Sequence, residues 1–322
     1  MHRRKILQLT AASLASGTLT RTVFASENTP MRIIVGFGAG GSIDQVGRLL
    51  AERLRNSLDQ VVIVENKAGA GGRIAMAEVK RSAPDGKTLV LCAGGSVSIQ
   101  PQIYKNLGYD VTKDFTPVAR VASLDFALTV GSGAPAGDLK TLIAWMKENP
   151  AKATYATSGA GSLPHFAGLL FGQTAGLNLS HVAYRGGAQA AQDLAAGVIP
   201  LMIDSPTETL ELVRAGKLRI LAVTGDKRSA SLPDVPTLNE LGIPVSIDNF
   251  YGLYGPANLP KSTRERLEAA VSDALKQPSM REKLTKLGLI PHYGDAETLA
   301  LLQATAYKKW EGPIKASGYT PD

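Results

Sequence analysis

Cysteine is all but absent: Cys92 is the single one among 322 residues. One thiol closes no internal disulfide, and its place in the apolar run Leu89–Cys92 reads as a small buried hydrophobe. Aromatic residues are sparse at 6% and charged residues low at 20%. Past the N-terminal segment, no apolar run reaches the ~18–20 residues that a membrane span needs, which excludes a multi-span membrane protein. Histidine is scarce as well. His165, His181 and His292 are the ones beyond the first 25 residues, and none has a second His or Cys at metal-ligand spacing. No metal and no cofactor is expected. What is present, 44% hydrophobic residues with 33 Gly and 18 Pro, is neither a disordered nor a collagen-like composition. The length suits two medium domains.

The net charge of +7 is concentrated at the start. Arg3, Arg4, Lys5 and Arg21 fall in a stretch of 25 residues that has no Asp or Glu, and without these four the charge drops to +3. The remaining Lys and Arg are scattered, so nothing marks a nucleic-acid surface. The early cluster has another use. Arg3-Arg4-Lys5, the apolar stretch Ile6–Leu19 and the small residues of Val23-Phe24-Ala25 form a secretory signal, with cleavage expected after Ala25. His2–Gln8 loosely resembles a twin-arginine signal. An exported protein is expected, acting as a monomer in the periplasm.

The rest of the chain alternates strands and helices. Arg32–Val35, Val61–Val64 and Thr88–Cys92 read as buried strands. They are separated by a helix from Ser42, whose Val46, Leu49, Leu50 and Leu54 share one face, and a helix at Arg73–Arg81. Ser42 and Gln45 have capping-box spacing. A second set follows, with strands at Thr154–Ala156, His181–Tyr184, Pro200–Ile203 and Leu218–Val223. Its helices are Leu139–Glu148, His165–Ala175, Ala188–Ala196 and Thr207–Ala215. Continuous Val/Ile/Leu runs between helices indicate parallel sheet covered on both faces. Pro117–Val130 and Ile247–Tyr254 are extended segments placed where the chain could cross between two units. The helices Lys261–Gln277, Ser279–Leu287 and Glu297–Ile314 close the chain. The expected fold is α/β with two lobes, each a mostly parallel sheet flanked by helices, joined by two crossing strands. Residues 26–125 and 249–322 form one lobe and residues 126–248 the other.

Glycine-rich loops recur where strands feed helices. They are Phe37–Asp44, Thr157–Ser162 and Tyr184–Ala188. Ligands of open parallel sheets bind at such positions. Glycine lets a ligand approach the backbone, and a helix start offers unpaired N–H groups with about half a positive charge. That combination suits an anion, including a carboxylate. Four charge-assisted hydrogen bonds would supply about 6–12 kcal/mol gross. After losses of rigid-body freedom this still approaches the ~8 kcal/mol of micromolar binding. His165, one turn into a helix behind such a loop, joins the candidates.

A dinucleotide site competes. Gly36-x-Gly38-x-x-Gly41 matches the fingerprint literally, and Glu65 ends the next strand where a ribose-binding acid would sit. The export signal argues against such an oxidoreductase, since nicotinamide cofactors are not expected outside the cytoplasm. Gly86-Lys87-Thr88 lacks the first glycine of a P-loop, and no G-x-S-x-G elbow occurs.

Four stretches then resemble the Bug (TctC-like) family of extracytoplasmic receptors of tripartite tricarboxylate transporters. They are RIIVGFGAGGSIDQVGRLLAERL, VENKAGAGGRIAMAEVKRSAPDGKTL, YATSGAGSLPHFAGLLFGQTAGLNLSHVAYRGGAQAAQDLAAGVIPLMID and GKLRILAVTGDKRSASLPDVPTLNELG. The resemblance implies no enzyme but a periplasmic-binding-protein-like fold that closes on a small carboxylate, an organic acid or amino acid, and delivers it to membrane components of such a transporter. A receptor that signals through a partner protein instead is the alternative within the same site chemistry. Carried over by position, the ligand-binding residues are Phe37, Gly40, Gly41, Ser42 and Asp44 on one lobe. On the other they are Ser158, Gly159, Ser162, His165, Tyr184, Arg185, Gly186, Gly187 and Ala188. Asp204 matches the acid at the end of a strand, where it would orient a water or ligand amine or cap the next helix. Two positions depart from the pattern. Gly36 stands where Pro is usual. Gly168-Leu169 replaces a polar or acidic residue common after His165, which shifts the expected ligand toward something less polar.

Overall fold

The computed structural model describes residues 29–321. The export segment and its cleavage site lie outside the described residues. In chain order the first part comprises β1 (Met31–Val35), α1 (Ser42–Leu58), β2 (Val62–Asn66), α2 (Arg73–Lys80) and β3 (Thr88–Ala93), then α3 (Gly94–Ser98), α4 (Gln100–Ile103) and β4 (Phe115–Asp125). The middle comprises β5 (Ala127–Val130), α5 (Leu139–Glu148), β6 (Thr154–Thr157), α6 (Leu163–Ala175) and β7 (Ser180–Ala183), then α7 (Gly187–Ala195), β8 (Leu201–Asp204), α8 (Leu210–Arg214) and β9 (Arg219–Val223). The last part comprises β10 (Asp248–Pro256), α9 (Lys261–Lys276), α10 (Pro278–Lys286), β11 (Ile290–Gly294) and α11 (Ala296–Ser317).

Two sheets result, ordered β11-β4-β10-β3-β1-β2 and β7-β6-β8-β5-β9. Helices cover them: Val46, Leu50 and Leu54 of α1 are fully buried, each such side chain contributing about 1.5–3 kcal/mol. The sheets are mixed, which corrects the expectation of mostly parallel strands. β1 is parallel to β2 and β3, and β6 to β7 and β8, as strand-helix-strand connections require. The strands that enter from the other lobe run the opposite way: β10 is antiparallel to β3 and β4, and β5 to β8 and β9. Apolar runs report burial on both faces, not direction.

The chain leaves the first sheet at Asp125 and enters the second at Ala127, with Phe126 buried between them. The return is made by β10, which starts at Asp248 opposite Asp125. The irregular segment 224–247 that precedes it is stitched to the outgoing crossing by Thr224. The Phe126 amide donates to Thr224 Oγ1 at 2.9 Å, and Thr224 Oγ1 donates to the Ile247 carbonyl at 2.8 Å. The end of α11 reaches across as well: Trp310 packs on Phe166 of α6, with centroids 6.2 Å apart.

Candidate functional site

Between the two sheets lies a cavity of about 270 Å³, at the small end for ligand pockets. Its walls come from both sheets, where strands β1, β6, β7 and β8 deliver the chain to helix starts. Of the residues expected from sequence, Phe37, Gly41, Ser42, Ser158, Ser162, Arg185, Gly186, Gly187, Ala188 and Asp204 line it.

Five do not, and each has a different task. Gly40 is exposed with φ +82°, forming the turn before α1. Asp44 is buried and holds that turn: its Oδ2 accepts from the Gly40 amide at 2.8 Å and from Arg48 Nε at 2.9 Å, and its Oδ1 from Asn66 Nδ2 at 2.9 Å. These donors keep its carboxyl below the usual carboxylate range, although burial opposes them. Gly159 sits behind Ser158, its carbonyl accepting from Ser162 Oγ at 2.6 Å. His165 is buried, stacked on His181 and accepting from the Gly161 amide at 3.2 Å. Tyr184 donates to Asp193 at 2.7 Å. The capping box is not made either. Gln45 donates to the Gly40 carbonyl, while Ser42 Oγ pairs with Tyr251 OH at 2.8 Å and Ser205 Oγ at 3.0 Å.

The two departures from the family pattern resolve structurally. A Cβ at Gly36 would stand 2.5 Å from Gly72 Cα, so Gly36 allows two loops to touch backbone to backbone. A Cβ at Gly168 would stand 2.0 Å from the Tyr155 ring, so this glycine makes room for that ring. Neither Gly168 nor Leu169 lines the cavity, and no shift in ligand polarity follows from them.

The backbone amides are not all open, contrary to expectation. The Ser158 amide donates to Asp204 Oδ2 at 2.6 Å, and the Ser42 amide donates across the cleft to Glu208 Oε1 at 2.8 Å. Asp204 ends β8, and Glu208 lies in the turn that follows it. By contrast, the amides of Gly187 and Ala188 at the start of α7 have no acceptor among the described residues. Arg185, exposed at the mouth, makes no ion pair among the described residues. Burial pushes the Asp204 carboxyl up, and burial with the neighbouring Asp204 charge pushes Glu208 up to about 8. Sequence reasoning missed Glu208, Ser205, Tyr251 and Asn249. Glu208 had a signal, an acid four residues beyond Asp204. Tyr251 and Asn249 sit in an apolar extended run that offers none.

Glu65, the candidate ribose acid, accepts from Arg32 Nε at 2.6 Å and Nη2 at 2.8 Å and lies away from the cleft. The fold and cavity thus define a two-lobe binding protein. The chain belongs to the tripartite tricarboxylate transporter receptor family, whose profile matches residues 46–319. Solved structures agree. The chain is similar to the periplasmic binding protein BugD, 32% identical over 91% of this chain and 99% of that one, with a TM-score of 0.87. It is 30% identical to an R. palustris protein solved with adipate, over 91% and 98% of the two chains, TM-score 0.88. It is also 30% identical to MatC from Rhodopseudomonas palustris with bound malate, over 88% and 98%, TM-score 0.84.

Proposed function

We propose that this chain is a periplasmic receptor that captures a small carboxylate between its lobes and presents it to the membrane components of a tripartite tricarboxylate-type transporter. The supporting observation is the open start of α7 in the cleft: the unpaired Gly187 and Ala188 amides beside Arg185. A helix start of this kind favours an anion, and a guanidinium adds a charge-assisted partner. The relatives solved with adipate and malate are consistent with that chemistry. Residues 26–125 with 249–322, and residues 126–248, act as the two bodies, and Thr224 marks the hinge. The basic, apolar and small-residue segments before Ser26 serve as the export signal.

Calorimetry and thermal shift on ligand-stripped protein test this, against mono- and dicarboxylates, keto acids, aromatic acids and amino acids. At least one class is expected to bind with micromolar affinity and raise Tm by several degrees. Absence of stabilisation by every class overturns the reading.

A further inference from the structure

The first glycine loop already holds a carboxyl of the protein's own. Glu208 reaches from the second lobe to the start of α1, and its Oε1 takes the Ser42 amide at 2.8 Å. A Cβ on Gly187 would stand 2.5 Å from its Cγ and Cδ, so the same carboxyl also rests against the start of α7. Its other oxygen, Oε2, is shielded from solvent and has no hydrogen-bond partner among the described residues. Asp204, 6% exposed, lines the same cavity with both oxygens engaged by the amides of Ser158 and Ser205. Two carboxyls therefore line one cavity, and one of them keeps a shielded acceptor without a partner.

We propose that Glu208 and Asp204 set the cleft's ligand choice: it takes a small compound with a carboxylate at one end and a protonated nitrogen at the other, rather than a dicarboxylate. The nitrogen lies against Glu208 Oε2, and the carboxylate goes to the Gly187 and Ala188 amides and Arg185. This deepens the receptor reading and rests on it. The reason is charge balance. A second ligand carboxylate at the first loop would have to displace Glu208 from the Ser42 amide and stand beside two acids in a low-dielectric pocket. An ammonium there is neutralised and supplies the missing donor.

The groups facing Glu208 fit this account. They are Asp204 at the end of β8, Tyr251 from β10, Ser42 at the start of α1 and the start of α7, with Arg185 elsewhere on the cavity wall. In the empty cleft the pair relieves its like-charge repulsion by keeping a proton, with Glu208 titrating at about 8. An ammonium takes that proton's place. Affinity for such a ligand therefore rises with pH up to about 8 and levels off above it, with a proton released on binding at pH 7.

The test uses ligand-stripped full-length mature protein and pairs of equal length: succinate with 4-aminobutyrate, glutarate with 5-aminopentanoate, adipate with 6-aminohexanoate. At pH 8.5 the amines are still protonated. The amino member of the best-fitting pair is expected to bind at least about tenfold more tightly than its dicarboxylate. Glu208→Gln should bring the two within about threefold. Gly187→Ala, which crowds the Glu208 side chain without removing it, should narrow the ratio in the same direction and guards against misfolding of the first variant. A wild type that prefers the dicarboxylates, or a ratio unmoved in both variants, overturns this inference and leaves the receptor reading intact. Binding of neither member of any pair, with other carboxylates binding, also overturns it. Binding of no carboxylate at all brings down both.

Discussion

His165 and His181 stack with ring centroids 3.9 Å apart, and Tyr155 packs 5.0 Å from His181. Thr157 Oγ1 meets His181 Nε2 at 2.7 Å. Burial lowers His165 to about 4, and burial with the neighbouring His165 lowers His181 to about 3. In the unfolded chain both titrate near 6.5. The folded state thus binds fewer protons than the unfolded state between these values. The stabilisation is complete above about pH 6.5 and is lost progressively as pH falls toward the folded values. At pH 5 each ring would contribute a loss of about 2 kcal/mol. Asp125 and Glu208, raised to about 6 and about 8, shift stability the other way over part of this range. The informative quantity is therefore a difference between proteins. His181→Phe keeps an aromatic ring in the stack but removes its titration. Its Tm should fall less than that of wild type between pH 7 and pH 5. Equal slopes would show that the rings are not held neutral by the fold. His165 also shows the limit of reading a site from sequence. Its spacing after a glycine loop puts it near the cleft, but the choice between cleft and core depends on Tyr155, His181 and Tyr319, which arrive from other elements.

At the scale of elements, α6 turns on one small residue. Gly168 faces the Tyr155 ring so closely that a Cβ would overlap it at 2.0 Å. Tyr155 is fully buried and its hydroxyl donates to the His165 carbonyl at 2.8 Å, which ties β6 to the first turn of the helix. Gly168→Ala sets two effects against each other. Helix propensity gains up to about 1 kcal/mol, and overpacking costs about 1–3 kcal/mol. The ring is hydrogen-bonded and cannot swing aside, so the cost wins. Denaturant unfolding should show a net loss of about 1–2 kcal/mol; a stabilised variant would mean that Tyr155 has room to move. Other elements were legible to different degrees. The alternating strands and helices of both lobes follow from apolar periodicity and turn residues, which are local. Strand direction does not, because β4, β5 and β10 owe their antiparallel pairing to where the chain crosses. β11 was not read as a strand: Ile290–Gly294 contains Pro291, and it pairs only as an edge next to β4. α3 and α4 were missed because four or five residues carry no periodicity.

For the whole molecule, the question is what the lobes touch when they meet. Three contacts join glycine backbone of the first lobe to the second. A Cβ on Gly186 would stand 3.4 Å from the Gly38 amide nitrogen, one on Gly71 2.9 Å from the Ala160 carbonyl, and one on Gly95 3.0 Å from the Leu163 amide nitrogen. The lobes therefore approach main chain to main chain, and under the proposed hinge closure the smallness of these residues would set how far the cleft can shut. Gly95 gives a test in which scattering is the deciding readout, because the residue also lines the cavity and a side chain there can exclude ligand directly. It lies in α3 without a positive φ, so a side chain there strains no backbone, and its nearest neighbours are all atoms of Leu163 at the start of α6. Gly95→Leu should act as a wedge, tolerated by the first lobe alone and incompatible with α6 at its present distance. A ligand shifts a two-state equilibrium only by its differential affinity for the closed form, so a wedge that raises the closed state by about 1.4 kcal/mol weakens apparent affinity tenfold. Titration should show at least that loss. Small-angle scattering should show a radius of gyration that stays at the ligand-free, open value when saturating ligand is added, while wild type contracts. The unfolding midpoint without ligand should hardly change. An unchanged affinity together with normal contraction would show that Leu163 yields, and that closure is not limited by the glycine contacts.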